Sequence, residues 1–142
     1  MNHRNVRGKI AYIFDPDGER RDFGREWWSV TFHEDGQRTL RAHCEIEAGV
    51  VADRSVIRET VYTTDNKYRP VDCFVRLHES GSFMGSGWFR FMDGWAECEA
   101  VNVTSGRISQ KMMIEPLSFG AHPVSCDVLH CARFDHNTNH KI

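Results

Sequence analysis

The sequence predicts an all-β fold: an antiparallel meander of about eight strands that closes into a barrel. Turn signals interrupt the chain at short intervals: Asp15-Pro16-Asp17-Gly18, Glu34-Asp35-Gly36, Thr64-Asp65-Asn66-Lys67, Gly81 to Gly87, Asp93-Gly94 and Thr104-Ser105-Gly106. Asp-Gly between alternating segments is a hairpin signal, because the tight turns need φ > 0. Between the turns, apolar residues recur at every second position, the period of a half-buried strand and not of a helix. A single eight-stranded sheet resolves its exposed faces by curling or closing.

The elements follow in order. A first strand near residues 9–14 stops at Asp15-Pro16-Asp17-Gly18, leaving residues 1–8 as a polar tail. A second, near 26–33, ends at Glu34-Asp35-Gly36. The third, 38–48, sets Leu40, Ala42, Cys44, Ile46 and Ala48 on one face against Thr39, Arg41, His43, Glu45 and Glu47 on the other. The fourth spans 54–63, and the fifth, 70–79, alternates Val71, Cys73, Val75 and Leu77 with Asp72, Phe74, Arg76 and His78. The sixth, 87–92, follows the glycine-rich stretch; the seventh, 95–103, sets Ala96, Cys98 and Ala100 against Glu97 and Glu99. The eighth, 107–115, is ended by Pro116. Beyond it, His122-Pro123 opens a short helix with proline at its first position, the reading favoured over a ninth strand across Asp127 to Phe134; residues 135–142 form a second polar tail.

The chain's 142 residues suit one domain, residues 1–142, with no repeat, linker or low-complexity tract. A net charge of −2 supplies no basic stripe, so nucleic acid is not an expected partner. There is no run of the ~20 apolar residues that a membrane helix needs, and no apolar signal segment follows Met1, which predicts a cytoplasmic protein without a membrane partner. Cys44, Cys73, Cys98, Cys126 and Cys131 are odd in number and form no Cys-x-x-Cys pair, which predicts reduced thiols.

Small residues recur on the apolar faces: Ala42, Cys44, Ala48, Cys73, Ala96, Cys98 and Ala100. An eight-stranded barrel is just wide enough to be filled or to hold one small ligand. Small walls predict a cavity, with ligand-binding residues Trp28, Cys44, Cys73, Phe83, Trp88 and Cys98, the aromatic ones closing its mouth. Gly81-Ser82-Phe83-Met84-Gly85-Ser86-Gly87 is not a phosphate loop, since it leads into the strand Trp88-Phe89-Arg90-Phe91 and lacks Gly-Lys-Ser/Thr. It predicts a hairpin loop whose Phe83-Met84 tip flaps over the mouth. His122, Cys126 and His130 would line one helical stripe, but buried thiols and a surface histidine explain them as well; neither metal nor cofactor is expected.

Residues 54–62 carry the candidate chemistry. Glu59 stands between Ile57 and Val61, while Arg58 and Thr60 stand between Val56 and Tyr62, so whichever face is inward takes a charge into an apolar wall. A buried charge is costly unless paired. A carboxyl in such a wall has a raised pKa suited to acid–base work. The candidate catalytic residues are therefore Glu59 with Arg90 or, in the opposite orientation, Arg58 with Tyr62 near Arg90. His43, Asp72, Arg76, His78, Glu97 and Glu99 lie on faces opposite the small residues and read as solvated cross-strand charges. An inverted barrel, with a polar interior, would instead make them a catalytic cluster with His43 and His78 as proton carriers.

The strand and turn segment Tyr62-Thr63-Thr64-Asp65-Asn66-Lys67-Tyr68-Arg69-Pro70, and the Pro116-Leu117-Ser118 entry to the C-terminal segment, resemble the lipocalin-like and half-barrel families of bacterial proteins, many without an assigned function. The chain departs from the lipocalin pattern in having no Gly-x-Trp near its first strand; Gly24-Arg25-Glu26-Trp27-Trp28 is only loosely similar to it. The resemblance implies a lipocalin-like β-barrel and a small apolar or aromatic ligand, and carries over no catalytic residue. The resulting expectation is a cofactor-independent proton-transfer enzyme (isomerase, dehydratase, lyase or cyclase), with a non-catalytic carrier as the alternative. An interaction module built on Trp27, Trp28 and Trp88 is a third class, and a homodimer stays open.

Overall fold

The computed structural model describes residues 3–115, 119–120 and 123–132. Eight strands form one antiparallel sheet in strictly sequential order: β1 (Arg4–Phe14), β2 (Arg21–Phe32), β3 (Arg38–Ile46), β4 (Val56–Thr64), β5 (Pro70–Glu79), β6 (Ser82–Met92), β7 (Trp95–Asn102) and β8 (Gly106–Met113). One short helix, α1 (Cys126–Cys131), follows among the described residues. Period-two patterning and hairpin turns thus produce the meander that the sequence predicts. Among the described residues β1 pairs only with β2, and β8 only with β7, so the sheet there is not closed into the predicted barrel.

The register explains which face is covered. One cross-strand row runs Val30, Leu40, Tyr62, Cys73, Phe89 and Cys98. Another runs Trp28, Ala42, Thr60, Val75, Gly87 and Ala100. Val30, Leu40, Ala42, Tyr62 and Cys73 join Cys126 and Leu129 of α1 in one buried cluster, with Phe119 packed against it. The helix therefore lies on the small-residue face. It takes up part of the apolar burial that closure would have provided, and the meander needs no ninth strand. Residues such as His43 and Arg76 alternate onto the outer face, as expected.

Three boundaries differ from the expectation. Residues 4–8 belong to β1 and not to a tail, because Arg4 to Gly8 pair with Phe32 to Trp28. A Cβ added at Gly8 would lie 2.5 Å from the Trp28 ring, so this glycine is the seat of the indole. The glycine-rich stretch is mostly strand: the β5–β6 connection shrinks to Ser80 and Gly81, at φ of 48° and 79°, the left-handed pair of a tight hairpin. Finally, α1 has Ser125 at its N-cap, two residues beyond Pro123, and Ser125 makes no side-chain cap bond. Pro116, the segment from 133, the tail at 135–142 and His122 lie outside the described residues.

Candidate functional site

The covered face holds an open cavity of about 420 Å³ between strands β4 to β7 and the segment at Phe119-Gly120. Val75 and Leu77 of β5, Phe89 of β6 and Ala100 of β7 make its apolar walls. Phe119 is its lid, with its ring centroid 5.0 Å from that of Phe89 and 4.9 Å from that of Phe91. Gly85 and Gly87 fall on the same face of β6 at a spacing of two and add no side chain, so the sheet is bare there. A Cβ at Gly87 would already sit 3.3 Å from the Phe89 ring, and one at Gly85 2.8 Å from the Val101 carbonyl oxygen. Among the described residues that line the cavity, Arg58 is the one charged side chain. Asn102 lines the far side, but its Oδ1 accepts the N–H groups of Thr104 and Ser105 at 3.0 and 2.6 Å and so belongs to the β7–β8 turn.

Beside the cavity, under the start of α1, Glu26 is fully buried. Its carboxylate accepts the backbone N–H of Val124 on Oε2 and of Ser125 on Oε1, each at 3.1 Å, and a short hydrogen bond from the Tyr12 hydroxyl. The Cys44 thiol donates to that hydroxyl at 3.8 Å. Burial, and then the bond to Glu26, push the Tyr12 pKa far above its ordinary value. Burial likewise raises Cys44 and Cys126, and pushes Cys73 up to about 12. These thiols stay protonated near neutrality, which suits packing and not nucleophilic attack. Glu26 is a clamp: it holds the turn at Val124 and Ser125 that leads into α1, whose first amides bond the carbonyls of Pro123, Val124 and Ser125.

The predicted catalytic pair is not assembled. Glu59 lies on the outer face opposite His43 and Arg76, with the Arg76 Nη1 at 3.9 Å and both side chains about half exposed. Arg90 lies opposite Asp72 and Glu97, pairs closely with Glu97, and stacks 4.6 Å from the Trp88 ring. Alternation decides this: with Thr60, Tyr62, Phe89 and Phe91 turned toward α1, their odd and even neighbours must face water. Of the alternative pair, Arg58 reaches the cavity, whereas Tyr62 is buried in the core against Phe119.

The predicted ligand-binding residues also separate. Cys44 and Cys73 are core residues, Cys98 is half-buried on the covered face, and Trp28 packs against the core; none of the four lines the cavity. Phe83 is exposed and meets the His78 ring edge-on, so it is no flap, although Met84 does line the cavity; Trp88 is exposed on the outer face. Trp27 is exposed there too, whereas Trp28 is not, so the three tryptophans form no single patch. Sequence reading missed the floor made by Gly85 and Gly87. Two glycines two apart, just before an alternating segment, were the available signal, and a strand beginning at Ser82 instead of Gly87 would have put both on one face.

A second groove, of about 460 Å³, crosses the outer face and includes Trp27, His43, Glu59 and Phe74. Next to it, Glu45 accepts from Arg25 across the β2–β3 pair at 2.8 Å and meets His43 Nε2 on its own strand at 3.1 Å, and both hold its carboxyl below the usual range. Among the described residues, no group of three His, Cys, Asp or Glu side chains could hold a metal ion, and no helix is long and apolar enough to cross a membrane. Cys126 is buried and His130 half-buried, with His122 outside the described residues. No family model matches the sequence, and no curated protein or solved structure matches it significantly.

Proposed function

We propose that this protein binds one small, largely apolar molecule on the covered face of a lipocalin-like half-barrel, and that it holds the molecule without transforming it. The observation that carries this is the cavity of about 420 Å³ whose floor is Gly85 and Gly87 and whose walls are Val75, Leu77, Phe89 and Ala100. That size falls within the ~300–1,000 Å³ of small-molecule sites, and such sites are largely apolar with a few placed polar groups. Proton transfer needs an acid or base within reach of the reacting atom. Glu59 is engaged on the outer face, and Glu26 holds the turn that leads into α1. The carrier reading is therefore preferred to the isomerase or lyase reading. A cytoplasmic setting belongs to the same proposal, since all five thiols, including exposed Cys131, are free.

The test is binding of N-phenyl-1-naphthylamine, an uncharged apolar dye, by the full chain and by Ala100→Phe, alongside native mass spectrometry of the purified protein for a co-purified molecule. One site per chain is expected, with affinity for the dye lowered at least tenfold in Ala100→Phe while the far-ultraviolet spectrum is unchanged. Failure of the wild-type chain to bind the dye, or equal binding by the filled variant, would overturn the proposal.

A further inference from the structure

The geometry points to an anionic group on the bound molecule, a carboxylate, sulfonate or phosphate ester, received by the Arg58 guanidinium; this rests on the binding role proposed above and names the class of ligand for that site. The inference begins with β4. Its alternation sends Arg58, Thr60 and Tyr62 to the covered face, where the neighbours across the sheet are Cys44, Ala42 and Leu40 on one side and Leu77, Val75 and Cys73 on the other. Every one of those six is apolar or a neutral thiol. A guanidinium on such a wall is costly to desolvate, and an aliphatic side chain would pack there without that cost.

Arg58 keeps an interaction within the protein. A guanidinium, however, presents five N–H donors in a planar fork, enough to serve an internal neighbour and a ligand oxyanion together. The row Arg58, Leu77, Gly85, Asn102 runs across the cavity from β4 to β7. Its far end is occupied, because the Asn102 carbonyl oxygen already caps the β7–β8 turn. Positive charge therefore stands at one end only, and bare backbone at Gly85 and Gly87 leaves room between. A molecule that fits this arrangement has a compact apolar body against Val75, Phe89 and Phe119 and one negative group at the β4 end. A cation would be repelled by Arg58, and a wholly apolar molecule would gain no charge-assisted hydrogen bond from it.

Two dyes that share one ring system separate this inference from the proposal it rests on. N-phenyl-1-naphthylamine is uncharged, and 8-anilinonaphthalene-1-sulfonate is the same molecule with a sulfonate. The full chain should bind the sulfonate about tenfold more tightly, the scale of a charge-assisted hydrogen bond. Arg58→Met should bring the ratio of the two dyes' affinities to about one, and Arg58→Lys should keep part of the preference. Should Arg58→Met lose its strand signal by circular dichroism, Arg58→Gln decides instead. Inorganic phosphate at matched ionic strength should not displace either dye, since it brings no apolar body; displacement by phosphate would overturn the inference in favour of a bare anion site. If neither dye binds the wild-type chain, the binding role itself fails. If both bind with equal affinity, or the sulfonate preference survives in Arg58→Met, or the sulfonate dye binds Ala100→Phe undiminished, only the anionic-ligand inference fails.

Discussion

At the scale of single residues, Glu26 is the side chain on which most depends. Its two oxygens collect a tyrosine hydroxyl and two backbone amides that follow it by 98 and 99 positions in the chain. Glu26→Ala would strand three donors in a buried site. The expected loss is about 2–4 kcal/mol, since each unmet buried donor costs ~1–3 kcal/mol and partial relaxation recovers some of it. Tyr12→Phe removes one donor and should cost about 1–2 kcal/mol; urea unfolding of the two variants measures both, and equal midpoints for Glu26→Ala and wild type would show that the clamp contributes nothing. Buried thiols give a pH dependence of known sign. The Cys73 thiol is raised from 9.0 in the exposed state to about 12 in the fold, with burial the larger cause and the charge of Asp72 the smaller. Its contribution to stability is fully present below pH ~9 and is lost as pH rises toward 12, because the unfolded chain releases that proton first. Stability should therefore be level from neutrality to pH ~9 and fall above it, with Cys44 and Cys126 adding to the slope. Ellman's reagent at neutral pH should find Cys131 reacting fast, and Cys44, Cys73 and Cys126 only on unfolding.

Strands and turns show what was legible in the sequence and what was not. The eight strands and their inward rows could be read because alternation is a local property: Leu40, Ala42 and Cys44 sort themselves without knowledge of a neighbour. The site was harder, since Arg58 and Glu59 alternate equally well and only the rest of the fold decides between them. That decision depends on α1, a short helix of six residues that buries Cys126 and Leu129 against the sheet, and no strand pattern announces which face it will cover. Closure is not legible for the same reason, as a period of two cannot say whether the last strand meets the first. Ser80 was hidden by the glycines that follow it. At φ 48° it occupies the left-handed region, where an L-residue pays ~1–2 kcal/mol and Asn tolerates the strain best. Ser80→Asn should raise stability by up to ~1 kcal/mol, measured as a higher urea midpoint with unchanged slope; a lower midpoint would show that the turn needs the serine hydroxyl. Leu129→Ala, by contrast, opens a hole beneath α1 and should cost about 2–5 kcal/mol by the same measurement.

For the whole molecule, an open eight-stranded sheet raises the question of what stops it from growing. Both free edges present unpaired backbone groups that could add a strand from another copy. Each edge carries cations: Arg4, Arg7 and Lys9 along β1, Arg107 and Lys111 along β8. The β8 edge has the greater need of them, because Met112 and Met113 are 65% and 90% exposed and Ile114 follows directly. Any pairing of β8 with β8, or of β8 with β1, brings like charges close together, and Lys111 stands immediately beside the apolar run as a gatekeeper. Lys111 also sits 3.5 Å over the Trp95 ring, and Arg107 meets Glu99 at 3.5 Å, so the two cations are held along the edge by their own strand neighbours. Replacing both, in Arg107→Ser with Lys111→Ser, should leave the fold intact, since surface pairs of this kind contribute only ~0–1 kcal/mol, while removing the repulsion. Sedimentation velocity should then show concentration-dependent dimers or larger species for the double variant under conditions where the parent sediments as a smaller species. Addition of Met112→Thr and Met113→Thr to the double variant should reverse the effect. Identical sedimentation of parent and double variant would mean that twist, and not charge, protects the β8 edge.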